Sequence, residues 1–105
     1  MPSQMPYGDN LIAPYRVLDL TDGKGVFCTK LLADYGANVV RIEPPSGDPG
    51  RAKGPFLGDE PGVERSAYYL FYNTNKRSIT LNLESDLGQS IFKQLVPKAD
   101  VVVES

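Results

Sequence analysis

Residues 16–43 read RVLDLTDGKGVFCTKLLADYGANVVRIE, and the reading of this stretch decides the fold. Arg16-Val17-Leu18-Asp19-Leu20 is a short, mostly apolar run rich enough in branched residues for a buried strand. Thr21-Asp22-Gly23-Lys24-Gly25 is a turn cluster, after which Phe27, Cys28, Leu31, Leu32 and Tyr35 recur at helical spacing up to Gly36, a natural helix-ending glycine. Asn38-Val39-Val40-Arg41-Ile42-Glu43 reads as a second strand, stopped by Pro44-Pro45. Short connections on both sides of one helix make a right-handed crossover between parallel strands the natural geometry.

Outward from this unit, residues 1–14 hold Pro2, Pro6, Pro14 and Gly8 with little apolar periodicity and read as an irregular lead-in. Residues 44–62 are too rich in proline and glycine for a packed helix or central strand and read as a long ordered loop or lid. Ser66-Ala67-Tyr68-Tyr69-Leu70-Phe71-Tyr72 reads as a short helix after a serine cap. Ser78-Ile79-Thr80-Leu81-Asn82-Leu83 alternates with period two, as an edge strand does. Ser85 caps a helix running to Val96, with Leu87, Ile91, Phe92 and Leu95 on one face. Asp100-Val101-Val102-Val103-Glu104 is expected to be a last, buried strand. The alternation specifies an α/β fold, a Rossmann-like parallel sheet with flanking helices. Because the chain stops at Ser105, where such folds place ligand-binding loops, the expectation is an incomplete, truncated large domain spanning residues 15–105.

Composition narrows the chemistry. The 105 residues include one cysteine and no histidine, with 11 Lys+Arg against 13 Asp+Glu. Without histidine there is no imidazole base, metal ligand or activator of a Ser or Cys nucleophile, so chemistry must use carboxylates, Lys, Tyr or a partner. A single Cys28 points to a reducing, cytoplasmic compartment and, on the apolar face of the first helix, to a small buried hydrophobe. A net charge of −2 gives no reason to expect nucleic acid, and no apolar run approaches the ~20 residues of a membrane span.

Gly23-Lys24-Gly25-Val26-Phe27-Cys28 partly matches a dinucleotide-binding turn, with Glu43 placed 18 residues after Gly25 as the ribose-binding acid. A small NAD-binding domain is one reading, and an ordinary strand-to-helix turn explains the glycines equally well. Gly47-Asp48-Pro49-Gly50-Arg51 with Lys53 forms a possible anion clamp or a solvated loop. Lys76-Arg77 is a second basic pair open to the same two readings. Tyr68, Tyr69, Phe71 and Tyr72 suit either a stacking surface or core packing.

Taken together, Arg16-Val17-Leu18-Asp19-Leu20-Thr21, residues 31–45, Gly47-Asp48-Pro49-Gly50-Arg51, residues 73–83 and Ala99-Asp100-Val101-Val102-Val103-Glu104-Ser105 resemble, in matching order, the start of a family III CoA-transferase. That group includes formyl-CoA transferase, carnitine-type CoA-transferases and α-methylacyl-CoA racemase. The resemblance implies a Rossmann-like domain that binds the nucleotide part of coenzyme A, with no metal, in a full-length enzyme roughly four times this length built as an interlocked homodimer. It implies transfer of CoA from an acyl-CoA to a carboxylic acid acceptor through an aspartyl-CoA thioester, covalent carboxylate chemistry that needs no histidine. The aspartate nucleophile lies beyond the equivalent of Ser105, so this chain alone is expected to be inactive.

By position, Leu81, Asn82, Leu83 and Glu84 correspond to a CoA-contacting segment, Ser105 to the start of a second CoA-contacting turn, and Lys24 and Gly25 to a first loop near CoA. Three departures stand out. The first loop is one residue shorter than in formyl-CoA transferase and lacks its Gly-Pro step, Glu84 replaces a common lysine, and Pro44 replaces an arginine that binds CoA in some members. Arg41, Arg51, Lys53 and Arg77 are the candidates to restore the lost positive charge. A racemase-like member would share all these features, its His/Asp pair also lying past Ser105. A non-catalytic binding or scaffold subunit, completed by a partner chain, is the reading from another class.

Overall fold

A computed structural model describes residues 15–105. The irregular lead-in read for residues 1–14 lies outside the described residues. Four strands form one parallel sheet in the order β3-β2-β1-β4: β1 (Arg16–Leu20), β2 (Asn38–Glu43), β3 (Arg77–Thr80) and β4 (Val101–Glu104). Helices α1 (Val26–Asp34), α2 (Ala67–Tyr72) and α3 (Asp86–Leu95) connect them. The first crossover is as the sequence predicts, both strand spans included.

Local chemistry sets the helix ends. Gly36 takes a φ of 109°, and the Gly36 and Ala37 amides return to the Ala33 and Leu32 carbonyls, closing α1. Ser66 and Ser85 cap α2 and α3 by accepting from the Tyr69 and Gly88 amides at 3.0 Å. The loop of residues 44–65 is ordered through two short 3-10 turns, Pro49–Ala52 and Leu57–Asp59.

Four expectations need correction. The α1 residues read as its buried face, Phe27, Leu31 and Tyr35, are exposed, and so is Cys28. The buried side of α1 is instead Val26, Thr29 and Ala33, packed with Val17, Ala37 and Val39. Buried Asp19 explains this rotation: Thr29 Oγ1 donates to its carboxylate at 2.8 Å, and small residues let the helix lie close on the sheet. The third correction concerns β4. It pairs only with β1, and Val101 and Val102 are exposed because, among the described residues, no strand lies beyond it. The strand read for residues 78–83 is shorter, since Asn82 turns the chain at its carboxyl end.

Candidate functional site

Parallel strands bring their carboxyl ends to one rim, and strand order reverses beside β1, between neighbours β2 and β4. Ligands of open α/β sheets bind outside such a rim. A cavity of about 260 Å³ lies there, lined by residues 20–22, 42–45, 48–49 and 81–84. Leu81, Asn82, Leu83 and Glu84 are therefore brought together as one wall.

That wall is a built turn. Leu81 N–H donates to the Glu43 carbonyl at 2.8 Å, and the Asn82 side-chain oxygen accepts from Glu84 N–H at 3.0 Å. Ser85 Oγ donates to the Asn82 carbonyl at 2.9 Å, and a Cβ on Gly88 would stand 1.7 Å from that carbonyl oxygen. Gly88 is thus required by the turn, a role the sequence reading missed; the signal was a glycine in the first turn of a capped helix, where helix propensity disfavours it.

Ser105, Gly25 and Lys24 meet beside this cavity at the β1/β4 crevice. Ser105 Oγ accepts from Asp22 N–H at 3.0 Å and donates to Asp22 Oδ1 at 2.8 Å. A Cβ on Gly25 would fall 2.8 Å from the same hydroxyl oxygen, so close approach explains that glycine. Lys24 is solvent-exposed and pairs with Asp22 at 2.9 Å. Its ammonium, its backbone N–H and Ser105 hold the Asp22 carboxyl well below the usual range.

Beneath the rim lies a buried polar hub centred on Asp19. Its carboxylate accepts from Thr21 N–H at 3.0 Å, Thr21 Oγ1 at 2.6 Å, Thr29 Oγ1 at 2.8 Å, Arg41 Nη1 at 3.0 Å and Lys76 Nζ at 2.8 Å. Burial raises the carboxyl pKa, but Lys76 and Thr21 outweigh it and the net direction is down. Burial acts most strongly on Lys76 and lowers its pKa. Arg41 also pairs with Asp48 and donates to the Thr21 carbonyl at 2.8 Å. A second hub surrounds Glu43, which takes both arms of Arg51 at 2.8 Å, Asp48 N–H and Tyr69 O–H at 2.8 Å, and Ser78 O–H. Burial first, and then the Glu43 hydrogen bond, push the Tyr69 phenol up to about 12.

These hubs reassign the predicted cations. Arg41 and Arg51 are bound to carboxylates, Lys76 is buried on Asp19, and Arg77 sits at the amino end of β3, away from the rim. Glu43, placed by the NAD reading on a ribose, is enclosed by Arg51, Tyr69 and Ser78. Neither Lys53 nor Arg77 meets a carboxylate among the described residues, and the Lys53 ammonium lies 4.7 Å from the centre of the Tyr68 ring. Among those residues no group of three His, Cys, Asp or Glu could hold a metal ion, and no helix is long and apolar enough to cross a membrane.

Comparison with known proteins agrees with the geometry. The sequence model of CoA-transferase family III matches residues 12–105. The chain is 42% identical over 91 residues to succinyl-CoA:(R)-benzylsuccinate CoA-transferase subunit BbsE of Thauera aromatica, covering 87% of this chain and 22% of that one. It is 46% identical over 91 residues to formyl-CoA:oxalate CoA-transferase of Streptomyces coelicolor, covering 86% and 21%. A CAIB/BAIF family protein from Brucella suis superposes with a TM-score of 0.76 at 36% identity over 87% of this chain and 24% of that one. The chain spans about a fifth of the length of these relatives.

Proposed function

The chain belongs to CoA-transferase family III, and on that premise we propose that it holds the nucleotide end of CoA within an acyl-CoA transferase. The observation carrying this reading is the cavity wall of Leu81, Asn82, Leu83 and Glu84 at the carboxyl rim of the sheet. At about 260 Å³ the cavity is smaller than the roughly 300–1,000 Å³ of sites that bury a whole drug-sized ligand, so it takes part of a CoA. Lys24, Gly25 and Ser105 border the path leading out along the β1/β4 crevice.

The reaction moves CoA from an acyl-CoA to a carboxylic acid acceptor. An aspartate carboxylate attacks the thioester carbonyl, giving a mixed anhydride and CoA thiolate; the thiolate attacks the aspartyl carbonyl, giving an aspartyl-CoA thioester and the free acid. The acceptor acid repeats these steps in reverse order. The nucleophile is an aspartate in polypeptide beyond these residues, since the aspartates at this rim are engaged: Asp22 by Lys24 and Ser105, Asp48 by Arg41. The working protein is a cytoplasmic homodimer of longer chains.

Two measurements test this. CoA should bind the 105-residue chain in calorimetric titration, and CoA transfer should occur in the longer polypeptide but not in this chain. Turnover by these residues alone overturns the placement of the nucleophile, and absence of CoA binding in both proteins overturns the reading.

A further inference from the structure

A second, smaller notch of about 50 Å³ opens behind the CoA cavity and shares Asp22, Asp48 and Pro49 with it. Lys53 and Tyr68 form one side and Gly23 of the glycine loop the other. A Cβ on Gly23 would stand 3.6 Å from Lys53 Nζ and 3.5 Å from the Tyr68 hydroxyl. Arg41 forms part of the lining; it is 2% exposed, and its Nε–H has no hydrogen-bond partner among the described residues.

Charge tells what such a notch takes. Arg41 and Lys53 line it together with Asp22 and Asp48, whose cations are Lys24 and Arg41, while Arg41 and Lys76 share Asp19. Every one of these carboxylates already has a cation, and Lys53 is the surplus positive charge. A buried N–H donor without an acceptor is unfavourable, and an anionic oxygen answers both it and Lys53. The volume is somewhat more than the roughly 30 Å³ share of one water, so one oxygen enters while the rest of its group stays outside.

We propose that this notch is an anion site in which Lys53 Nζ, Arg41 Nε–H and the Tyr68 hydroxyl receive one oxygen of a phosphate or carboxylate. The inference rests on the CoA reading for its natural ligand, a CoA phosphate or the acceptor acid. Lys53 thereby replaces positive charge that Pro44 and Glu84 do not supply.

The test is calorimetric titration of the 105-residue chain at low salt with CoA, dephospho-CoA, succinate and inorganic phosphate. Lys53→Met should weaken the entering ligand at least tenfold, Lys53→Arg should restore most of the affinity, and Arg77→Met, at the other end of the sheet, should change nothing. Loss for CoA but not dephospho-CoA assigns the 3′-phosphate, loss for both the diphosphate, and loss for succinate the acid substrate. Equal affinity of wild type and Lys53→Met for all four ligands overturns the site. If wild type binds CoA and none of the four ligands depends on Lys53, the notch falls and the CoA reading stands; phosphate or succinate binding that depends on Lys53, without CoA binding, gives the reverse.

Discussion

Arg51 grips Glu43 through two 2.8 Å hydrogen bonds, Nε to Oε1 and Nη2 to Oε2, and this fork fastens the loop after β2 against the sheet rim. The same guanidinium lies 3.9 Å from the centre of the Tyr69 ring, and Tyr69 donates to the same carboxylate. Loop, α2, β2 and β3 therefore converge on one buried acid.

Arg51→Met should destabilise the fold by about 3–5 kcal/mol, because it leaves Glu43 buried without its cation. A urea midpoint at neutral pH measures this. The pH dependence follows from the depressed Glu43 carboxyl, held down chiefly by Arg51. A carboxyl whose folded pKa is below its ordinary 4.5 contributes stability fully above that pH and loses it as pH falls further. Wild type should lose stability steeply below about pH 4, and Glu43→Gln should flatten that slope; an unchanged slope would refute the assignment.

Asp19→Asn removes the one carboxylate shared by Arg41 and Lys76 at 0% exposure. The expected cost is about 3–5 kcal/mol, a large share of the roughly 5–15 kcal/mol that holds a domain folded. Asp19→Asn combined with Lys76→Met should recover part of it, since the second change removes a cation left unpaired. Strict additivity in urea unfolding would show that the two side chains are not coupled.

How much of this was legible in the sequence can be argued from particular residues. The β1-α1-β2 unit was readable because apolar runs, Gly36 and Pro44 mark its borders locally. The rotation of α1 was not, because the reason Thr29 faces inward is Asp19, and an acid inside a strand does not announce its partners. Leu81 to Glu84 were placed at the site by resemblance alone; their turn depends on Gly88, six residues past Asn82. Arg41 and Arg51 looked available for an anion because their partners, Asp19 and Glu43, lie 22 and 8 residues away.

Gly88→Ala should therefore act on the site as well as on stability. Its Cβ cannot coexist with the Asn82 carbonyl at 1.7 Å, and the obstacle is backbone rather than a movable side chain. Either the Asn82 turn shifts or the first turn of α3 opens. We expect a loss of at least 2 kcal/mol, in the range of overpacking in a well-packed site, and weaker CoA binding in whatever remains folded. Amide exchange at Glu84 and Gly88 locates the change; unaltered protection there would mean that the turn tolerates the methyl.

Nicotinamide dinucleotides should not bind. The fingerprint reading requires Glu43 to accept from a ribose hydroxyl. Glu43 is instead 2% exposed, and its oxygens take bonds from Arg51, Asp48 N–H, Tyr69 and Ser78. A ribose would have to displace Arg51 and leave that guanidinium without its acid, at a cost the hydroxyl contacts do not return. Titration with NAD beside CoA should give heat for CoA alone. Saturable NAD binding that is lost in Glu43→Gln would reverse the assignment of this acid and return it to the ribose.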